Sequence, residues 1–175
     1  SRGIGAAIAR KLAKKGISVV VNFAKNEDEA NEVIKEIITQ GGKAIAIKAD
    51  ISKASEVKFL FDEVEKKLGK VDILVNNAGV ILYKEIADVS DKEFDNLFDI
   101  NVKGVFLTCR EAANRINEGG RIINFSSSTT RMMLPAYGLY VASKGAVEQL
   151  TRSLAKELGA KGITVNTISP GPTDT

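Results

Sequence analysis

Apolar residues along the chain follow two alternating spacings. One is the three-to-four-residue spacing of a helix with a single buried face; the other is the short unbroken run of a buried strand. Residues 4–15 read as a helix closed by Gly16, and 17–22 as a strand. A helix follows over about 27–40, with Val33, Ile34, Ile37 and Ile38 in one stripe and Gly41-Gly42 as its stop. Residues 44–47 give a short strand ending at Asp50. A helix over about 53–68 carries Val57, Leu60, Phe61, Val64 and Leu68 and stops at Gly69. The run 71–75 is closed by Asn76-Asn77-Ala78-Gly79. Beyond it come a long helix over about 91–116, a strand at 121–125, a helix over about 138–158 and a strand at 163–168. Short apolar strands joined by helical crossovers predict a parallel sheet covered on both faces, a doubly wound α/β fold in one domain spanning 1–175. Such sheets bind ligands beyond the carboxyl ends of their strands.

The polar residues obey that rule. Arg2, Gly3, Asn22, Asp50, Asn77, the serines at 126–128 and residues 170–175 all flank the predicted carboxyl end of a strand, and Asn101 interrupts the long helix. Gly3 and Gly5 precede or open the first helix, where glycine lets backbone approach a phosphate and the helix amino end attracts negative charge. A ribose-reading acid is expected about 20 residues after such a turn. Positions 22–25 read Asn-Phe-Ala-Lys, with no acid but with the basic Lys25, and Arg2 lies inside the glycine turn.

Tyr140-Val-Ala-Ser-Lys144 is the stretch richest in chemistry. A tyrosine and a lysine four apart on a helix share a face, so the ammonium can stabilise a phenolate and tune the phenol towards working pH. A phenol tuned this way protonates a carbonyl oxygen, or deprotonates an alcohol, while a hydride moves at the adjacent carbon. Of the three serines at 126–128, strand alternation separates Ser127 from its neighbours without saying which face a substrate uses. Asp50 has a plain alternative as the cap of the following helix, and Asn101 as the cap of a helix break.

Composition narrows the field. With 175 residues, 44% of them hydrophobic, and a net charge of +3 without a basic block, the chain suits a globular domain and offers nothing for nucleic acid or membranes. There is no histidine, which removes His-based triads and most zinc sites, so no metal is expected. The single cysteine, Cys109, sits among apolar residues and is read as core. Signal-peptide features are absent at residue 1, and the expected location is cytoplasmic. Both ends look cut: the glycine turn calls for a preceding strand, and the chain stops just after Pro170-Gly171-Pro172.

In their order and spacing these motifs resemble the short-chain dehydrogenases/reductases. The resemblance rests on Gly3-Ile4-Gly5, Asp50, Asn76-Asn77-Ala78-Gly79, Asn101-Val102, Ser127, Tyr140-x-x-x-Lys144 and Pro170-Gly171, and it covers essentially the whole chain. It implies a Rossmann-type fold and a hydride transfer between NADP(H), with NAD(H) the lesser choice, and a carbonyl or alcohol substrate. Tyr140 would then be the general acid/base, Lys144 its partner and a ligand of the nicotinamide ribose, Ser127 the holder of the carbonyl oxygen, and Asn101 the anchor of a proton-relay water. Cofactor contacts would come from Arg2, Gly3, Ile4, Gly5, Asn22, Lys25, Asp50, Ile51, Asn77, Ala78, Gly79, Pro170, Gly171, Thr173 and Thr175. Asp50 would read the adenine amino group, and Arg2 and Lys25 the 2′-phosphate. Met132, Met133, Leu134 and Leu139 fall where the family has substrate-pocket walls, or equally form a plug on the core.

Within the family the chain is similar to 3-oxoacyl-carrier-protein reductases and to aldehyde or sugar reductases, so the substrate is expected to be a small molecule or an acyl thioester. Of two positions where such reductases dock an acidic carrier, one falls near the basic Lys161 and the other near the acidic Glu118. A homo-oligomer, a tetramer with dihedral symmetry, is expected through the helices 91–116 and 138–158, the second bearing Ala146, Val147, Leu150, Leu154 and Leu158. The other class left open is a non-catalytic dinucleotide-binding sensor or scaffold. Retention of Asn101, Ser127, Tyr140 and Lys144 together favours the enzyme.

Overall fold

The computed structural model describes residues 2–132 and 134–173. They form two compact units, one over residues 2–69 and one over 70–173.

The first unit runs α1 (Gly3–Ala13), β1 (Val19–Phe23), α2 (Glu27–Thr39), β2 (Ala44–Lys48) and α3 (Ala54–Leu68). β1 and β2 pair in parallel from Val19↔Ala44 to Phe23↔Lys48. Side chains alternate between the two faces of a strand, and each face has its own apolar cluster. On one, Val21 and Phe23 meet Ala6, Ala9 and Ala13 of α1 and Ala30, Val33 and Ile37 of α2. On the other, Val20, Ile45 and Ile47 meet Leu60 and Val64 of α3. Helices therefore cover both faces, as continuous apolar strands require. The glycines read as helix stops, Gly16, Gly41 and Gly69, all have φ between +79° and +90°, a conformation that side-chain-bearing residues resist.

The second unit contains β3 (Ile73–Asn76), α4 (Asp91–Phe98), α5 (Gly104–Arg115), β4 (Arg121–Phe125), the short α6 (Thr129–Met132), α7 (Gly138–Leu158) and β5 (Thr164–Ile168). Its sheet has the order β3-β4-β5, parallel throughout. Ile122, Val105, Ala112, Val147, Leu158 and Val165 are among its buried apolar residues. Cys109 is buried with them, and burial pushes its thiol up to about 11, so it is core as expected.

The continuous helix expected over 91–116 is in fact three pieces. α4 starts on a capping box, in which Ser90 Oγ accepts from the Glu93 amide and the Glu93 carboxylate accepts from the Ser90 amide. A π-helical turn, Asp99–Lys103, then intervenes before α5. Its wider i→i+5 bond, from the Gly104 amide to the Asp99 carbonyl, adds one residue to the turn that carries Asn101. α6 and the two 3₁₀ turns at Ile86–Asp88 and Gly159–Lys161 were also not foreseen, being too short to carry a period.

Buried polar side chains tie the second sheet to its helices. Asn76 Nδ2 donates to Asn124 Oδ1 at 2.8 Å, Asn124 Nδ2 to Thr151 Oγ1 at 2.9 Å, and Thr108 Oγ1 to Asn76 Oδ1 at 2.8 Å. Among the described residues, every deeply buried side-chain nitrogen or oxygen has a partner, the condition under which such a network specifies one packing. Replacing Asn124 by Leu, similar in size, strips Asn76 and Thr151 of partners at once. Thermal or urea unfolding of this variant is expected to show a loss of about 2–5 kcal/mol, the scale of orphaned buried polar groups. An unchanged midpoint would mean that the network contributes no stability.

Candidate active site

α7 places Tyr140 and Lys144 one turn apart, and its local sequence fixes what each meets. Lys144 is only 4% exposed, and its Nζ donates to the Phe125 carbonyl at 2.9 Å, at the carboxyl end of β4. The same ammonium lies 5.7 Å from the centroid of the half-buried Tyr140 ring. Burial disfavours the charged form and brings the Lys144 pKa down from 10.5 to about 8.

Asn101 is fully buried in the π turn. Its Oδ1 accepts from the Val80 amide at 2.8 Å while its Nδ2 donates to the Val80 carbonyl at 2.8 Å, so the side chain pairs with the backbone just after Gly79. The second Nδ2 hydrogen goes to Ser143 Oγ at 3.1 Å, and Ser143 donates in turn to the Tyr140 carbonyl at 2.7 Å. A helix-break cap, the plain alternative for Asn101, is thus not what its side chain does: it bridges the segment after β3 to α7. At Gly79 a Cβ would come within 3.2 Å of Asn101 Oδ1 and 3.3 Å of Lys144 Nζ. The absent side chain leaves backbone open beside the buried ammonium. Asn77 is half-buried and Ala78 exposed next to it.

Each serine at 126–128 has a distinct partner. Ser126 Oγ donates to Glu148 Oε1 at 2.6 Å, and Ser128 Oγ approaches the Met132 sulfur at 3.8 Å. Ser127 Oγ accepts from the Thr129 amide at 3.3 Å and from Thr129 Oγ1 at 2.9 Å. With both of these donors on the Thr129 side, the Ser127 O–H is left to point elsewhere. Pro170 is tied to this strand end, its carbonyl accepting from the Ser128 amide at 2.9 Å, and Gly171 and Thr173 are exposed beyond it. The second unit thereby brings together Asn101, Ser127, Tyr140, Lys144 and the segment ending in Gly79.

The remaining candidates belong to the first unit. Arg2 is extended and exposed, Gly3 opens α1 at φ +50°, and no acidic residue occupies the first turn of α1. The Ala6 amide bonds to the Arg2 carbonyl, and the Gly3, Ile4 and Gly5 amides belong to the first turn of α1, where a helix offers its amides no acceptor of its own. Lys25 is exposed two residues after β1. Asn22 donates both amide hydrogens to backbone, to the Ile47 carbonyl at 3.2 Å and the Ala49 carbonyl at 2.9 Å. It therefore joins β1 to the chain leaving β2. Asp50 accepts from the Ser52 amide at 3.0 Å and Ser52 Oγ at 2.7 Å, forming a turn, with the half-buried Ile51 enclosed. α3 starts after Lys53 without a side-chain cap, so Asp50 is not the cap of that helix. Burial opposes ionisation of Asp50, but the Ser52 bonds and the Lys53 ammonium outweigh it and hold the carboxyl below its usual value. Thr175 and Met133 lie outside the described residues.

Comparison with known proteins defines the class. The chain matches the short chain dehydrogenase family over residues 1–175. It is 44% identical to a short-chain dehydrogenase/reductase of Pestalotiopsis microspora, covering 99% of this chain and 66% of that protein. It is 43% identical to versicolorin reductase 1 of Dothistroma septosporum, covering 97% and 65%. Among solved structures, a Burkholderia cenocepacia short chain dehydrogenase in complex with NADP superposes with a TM-score of 0.95 at 40% identity, covering 99% of this chain and 71% of that one. The chain belongs to the short-chain dehydrogenase/reductase family and has its α/β, Rossmann-type fold of parallel sheets and helices. It spans just under two thirds of the length of the two curated relatives.

Sequence reasoning missed Ser143, Glu148 and the Val80 and Phe125 backbone groups. A serine buried among helical apolar positions signalled the first; backbone acceptors leave no trace in residue identity.

Lys144 makes stability depend on pH. Its folded value is about 8 and its ordinary value 10.5, so between those pH values the unfolded chain holds more protons and stability rises with pH. Below pH 8 the full cost of burying the ammonium is present. Relative to Lys144→Met, which titrates nothing there, the wild-type apoprotein should gain roughly 3 kcal/mol as pH rises through that window. Parallel melting curves of the two proteins at each pH provide the check, and a constant difference between them would refute it.

Proposed function

We propose that the protein carrying this chain is an NADP(H)-dependent reductase of a ketone or aldehyde, or in reverse a dehydrogenase of the corresponding alcohol. One observation carries the reading: a hydrogen-bonded frame, in which Asn101 grips Val80 and Ser143 while Lys144 grips Phe125, adjoins Tyr140 and a side-chain-free Gly79, with Ser127 two residues beyond Phe125. Nicotinamide, when bound, supplies the hydride. Tyr140 gives its phenolic proton to the carbonyl oxygen, and the Ser127 hydroxyl holds the same oxygen as charge develops. Lys144, held among buried groups, supplies positive charge to the Tyr140 phenolate and to ribose hydroxyls. Lys144 returns a proton to the Tyr140 phenolate and takes one back from a water that Asn101, which also fixes the backbone after Gly79 against α7, is proposed to anchor.

Cofactor choice is read from the first unit. The amide-rich start of α1 suits the pyrophosphate, and Asp50 and Ile51 suit the adenine. No carboxylate follows β1 until Glu27, which opens α2, so nothing there repels a 2′-phosphate; Arg2 and Lys25 are the cations proposed to take it. The Burkholderia protein's complex with NADP supports the same choice.

A freestanding carbonyl compound is favoured over an acyl chain on an acidic carrier. The Gly119 amide bonds to the Lys161 carbonyl at 3.0 Å, so the two candidate docking positions are neighbours, and Glu118 sets a negative charge beside Lys161. The proposed assembly is a homo-oligomer, a tetramer at its simplest. Of the α7 stripe, Val147, Leu154 and Leu158 are buried in the chain's own core, while Ala146 and Leu150 are only half-buried and remain open to a partner. Half-exposed Phe94 and Phe106 on α4 and α5 are among the apolar groups open to a partner. Light scattering at micromolar concentration should give the mass of an oligomer; a monomer would refute this assembly.

Tyr140→Phe in the full-length protein should keep NADPH affinity and lower carbonyl turnover by ~10²-fold or more, the scale of acid–base catalysis. Wild-type turnover in that variant would remove Tyr140 as proton donor. Wild type should prefer NADPH over NADH in kcat/KM by roughly 10²-fold, and Arg2→Ala with Lys25→Ala should erase most of that preference. Unchanged preference in the double variant would exclude both residues as phosphate contacts.

A further inference from the structure

Three consecutive residues at the end of β4 are each fastened to α7. Asn124 reaches Thr151 at 2.9 Å, the Phe125 carbonyl receives Lys144 at 2.9 Å, and Ser126 Oγ reaches Glu148 at 2.6 Å. The next residue is Ser127, whose hydroxyl no α7 side chain engages. Glu148 has a second hold: Thr130 Oγ1 donates to the same oxygen, Oε1, at 2.9 Å. Ser126 and Thr130 bracket Ser127, and the one Thr130 hydroxyl proton is shared between Glu148 and the Ser127 carbonyl, each 2.9 Å away. One carboxylate oxygen therefore clamps the chain on both sides of the serine. Tyr140, Lys144 and Glu148 occupy successive turns of α7 at intervals of four, so one helical stripe carries the proton donor, the ammonium and the clamp. We propose that Glu148 is a positioning residue of the reaction, setting where the Ser127 hydroxyl stands relative to Tyr140. The Ser126 and Thr130 hydroxyls are its handles, and Glu148 itself touches neither substrate nor cofactor.

The alternatives account for less. A helix-surface carboxylate would face solvent or a lysine, whereas this one receives two hydroxyls from a neighbouring segment. A proton-transfer role would favour a carboxyl with a raised pKa, but the bond from Ser126, reinforced by Thr130, Arg131 and Arg152, holds the Glu148 carboxyl below its usual value. Because both hydroxyls converge on Oε1, an amide oxygen at the same place can accept both bonds without the charge.

The inference rests on the reductase reading, and the experiment separates the two. In the full-length protein, compare wild type, Glu148→Gln, Glu148→Leu, Ser126→Ala with Thr130→Val, the combination of that pair with Glu148→Leu, and Tyr140→Phe. For each, measure carbonyl kcat and KM, NADPH affinity by fluorescence and melting temperature. A displacement of the serine by an ångström or less is expected to lower kcat/KM for the carbonyl by about 10- to 100-fold in Glu148→Leu and in the hydroxyl-deficient pair. NADPH affinity should stay within about twofold, Glu148→Gln should retain activity within about fivefold, and the combined variant should be no worse than either parent, the non-additive signature of one clamp. Wild-type kcat/KM in the hydroxyl-deficient pair, a Gln variant as impaired as Leu, additive losses, or a loss confined to NADPH affinity would each overturn the proposal. Should Glu148→Leu fail to fold, the Gln variant and the hydroxyl pair decide it. Full activity in Tyr140→Phe would instead bring down the reductase reading and this inference with it, whereas an inactive Tyr140→Phe beside unimpaired Glu148 variants would bring down the inference alone.

Discussion

A buried ammonium on a backbone carbonyl is the constraint around which the second unit is arranged. Taking a lysine out of water costs several kcal/mol unless its hydrogens find acceptors, and the Phe125 carbonyl can serve only if α7 lies against the end of β4 in one register. The apolar part of that register comes from Val147 and Leu158 on α7 with Ile122 and Val165 of the sheet, all buried. Its polar part comes from the Asn124–Thr151 bond one residue earlier on the strand. Packing alone tolerates sliding by small amounts. A hydrogen bond at 2.9 Å from an almost fully buried ammonium does not. The geometry of the proposed site and the specificity of the fold thus draw on the same contacts.

The two units divide the labour. The first is a small βαβ frame whose alanine-lined α1 packs closely on β1 and whose amino end is left free of acidic side chains. The second has most of the buried polar bonds, and it spends them on backbone: Asn101 on Val80, Lys144 on Phe125, Ser143 on the Tyr140 carbonyl. Fixing main chain with side-chain amides and hydroxyls is costly in desolvation, and every buried partner must be supplied. The return is rigidity at positions where no regular ladder runs.

Much of this was legible from residue order. Periodicity located the strands and long helices to within one or two residues, and Gly16, Gly41 and Gly69 stop helices because positive φ suits only glycine cheaply. Tyr140 and Lys144 were legible as a pair because helical spacing of four has one geometric meaning. The π turn was not, since an i→i+5 bond depends on tertiary demand at Asn101 rather than on propensity. The α7 stripe was legible only as a covered face: apolar spacing does not say by what, and the chain's own core covers Val147, Leu154 and Leu158 but leaves Ala146 and Leu150 half-buried. Glu148 looked like any surface acid in a helix, because its partners lie 18 and 22 residues away. Asn22 and Asp50 sat where a ligand was expected, and their side chains turned out to be engaged with neighbouring backbone.

The π turn also sets a phase. One extra residue in a helix offsets everything beyond it by about 100° around the axis. Asp91–Phe98 and Gly104–Arg115 therefore present faces that a straight helix of the same sequence would never align. Leu97 before the turn and Val105 after it are both buried in this arrangement. Loss of a single residue from the turn would restore an ordinary ladder and gain regular hydrogen bonds, yet rotate one of those faces into solvent. The segment is thus locked to its length as firmly as to the Asn101 side chain it carries.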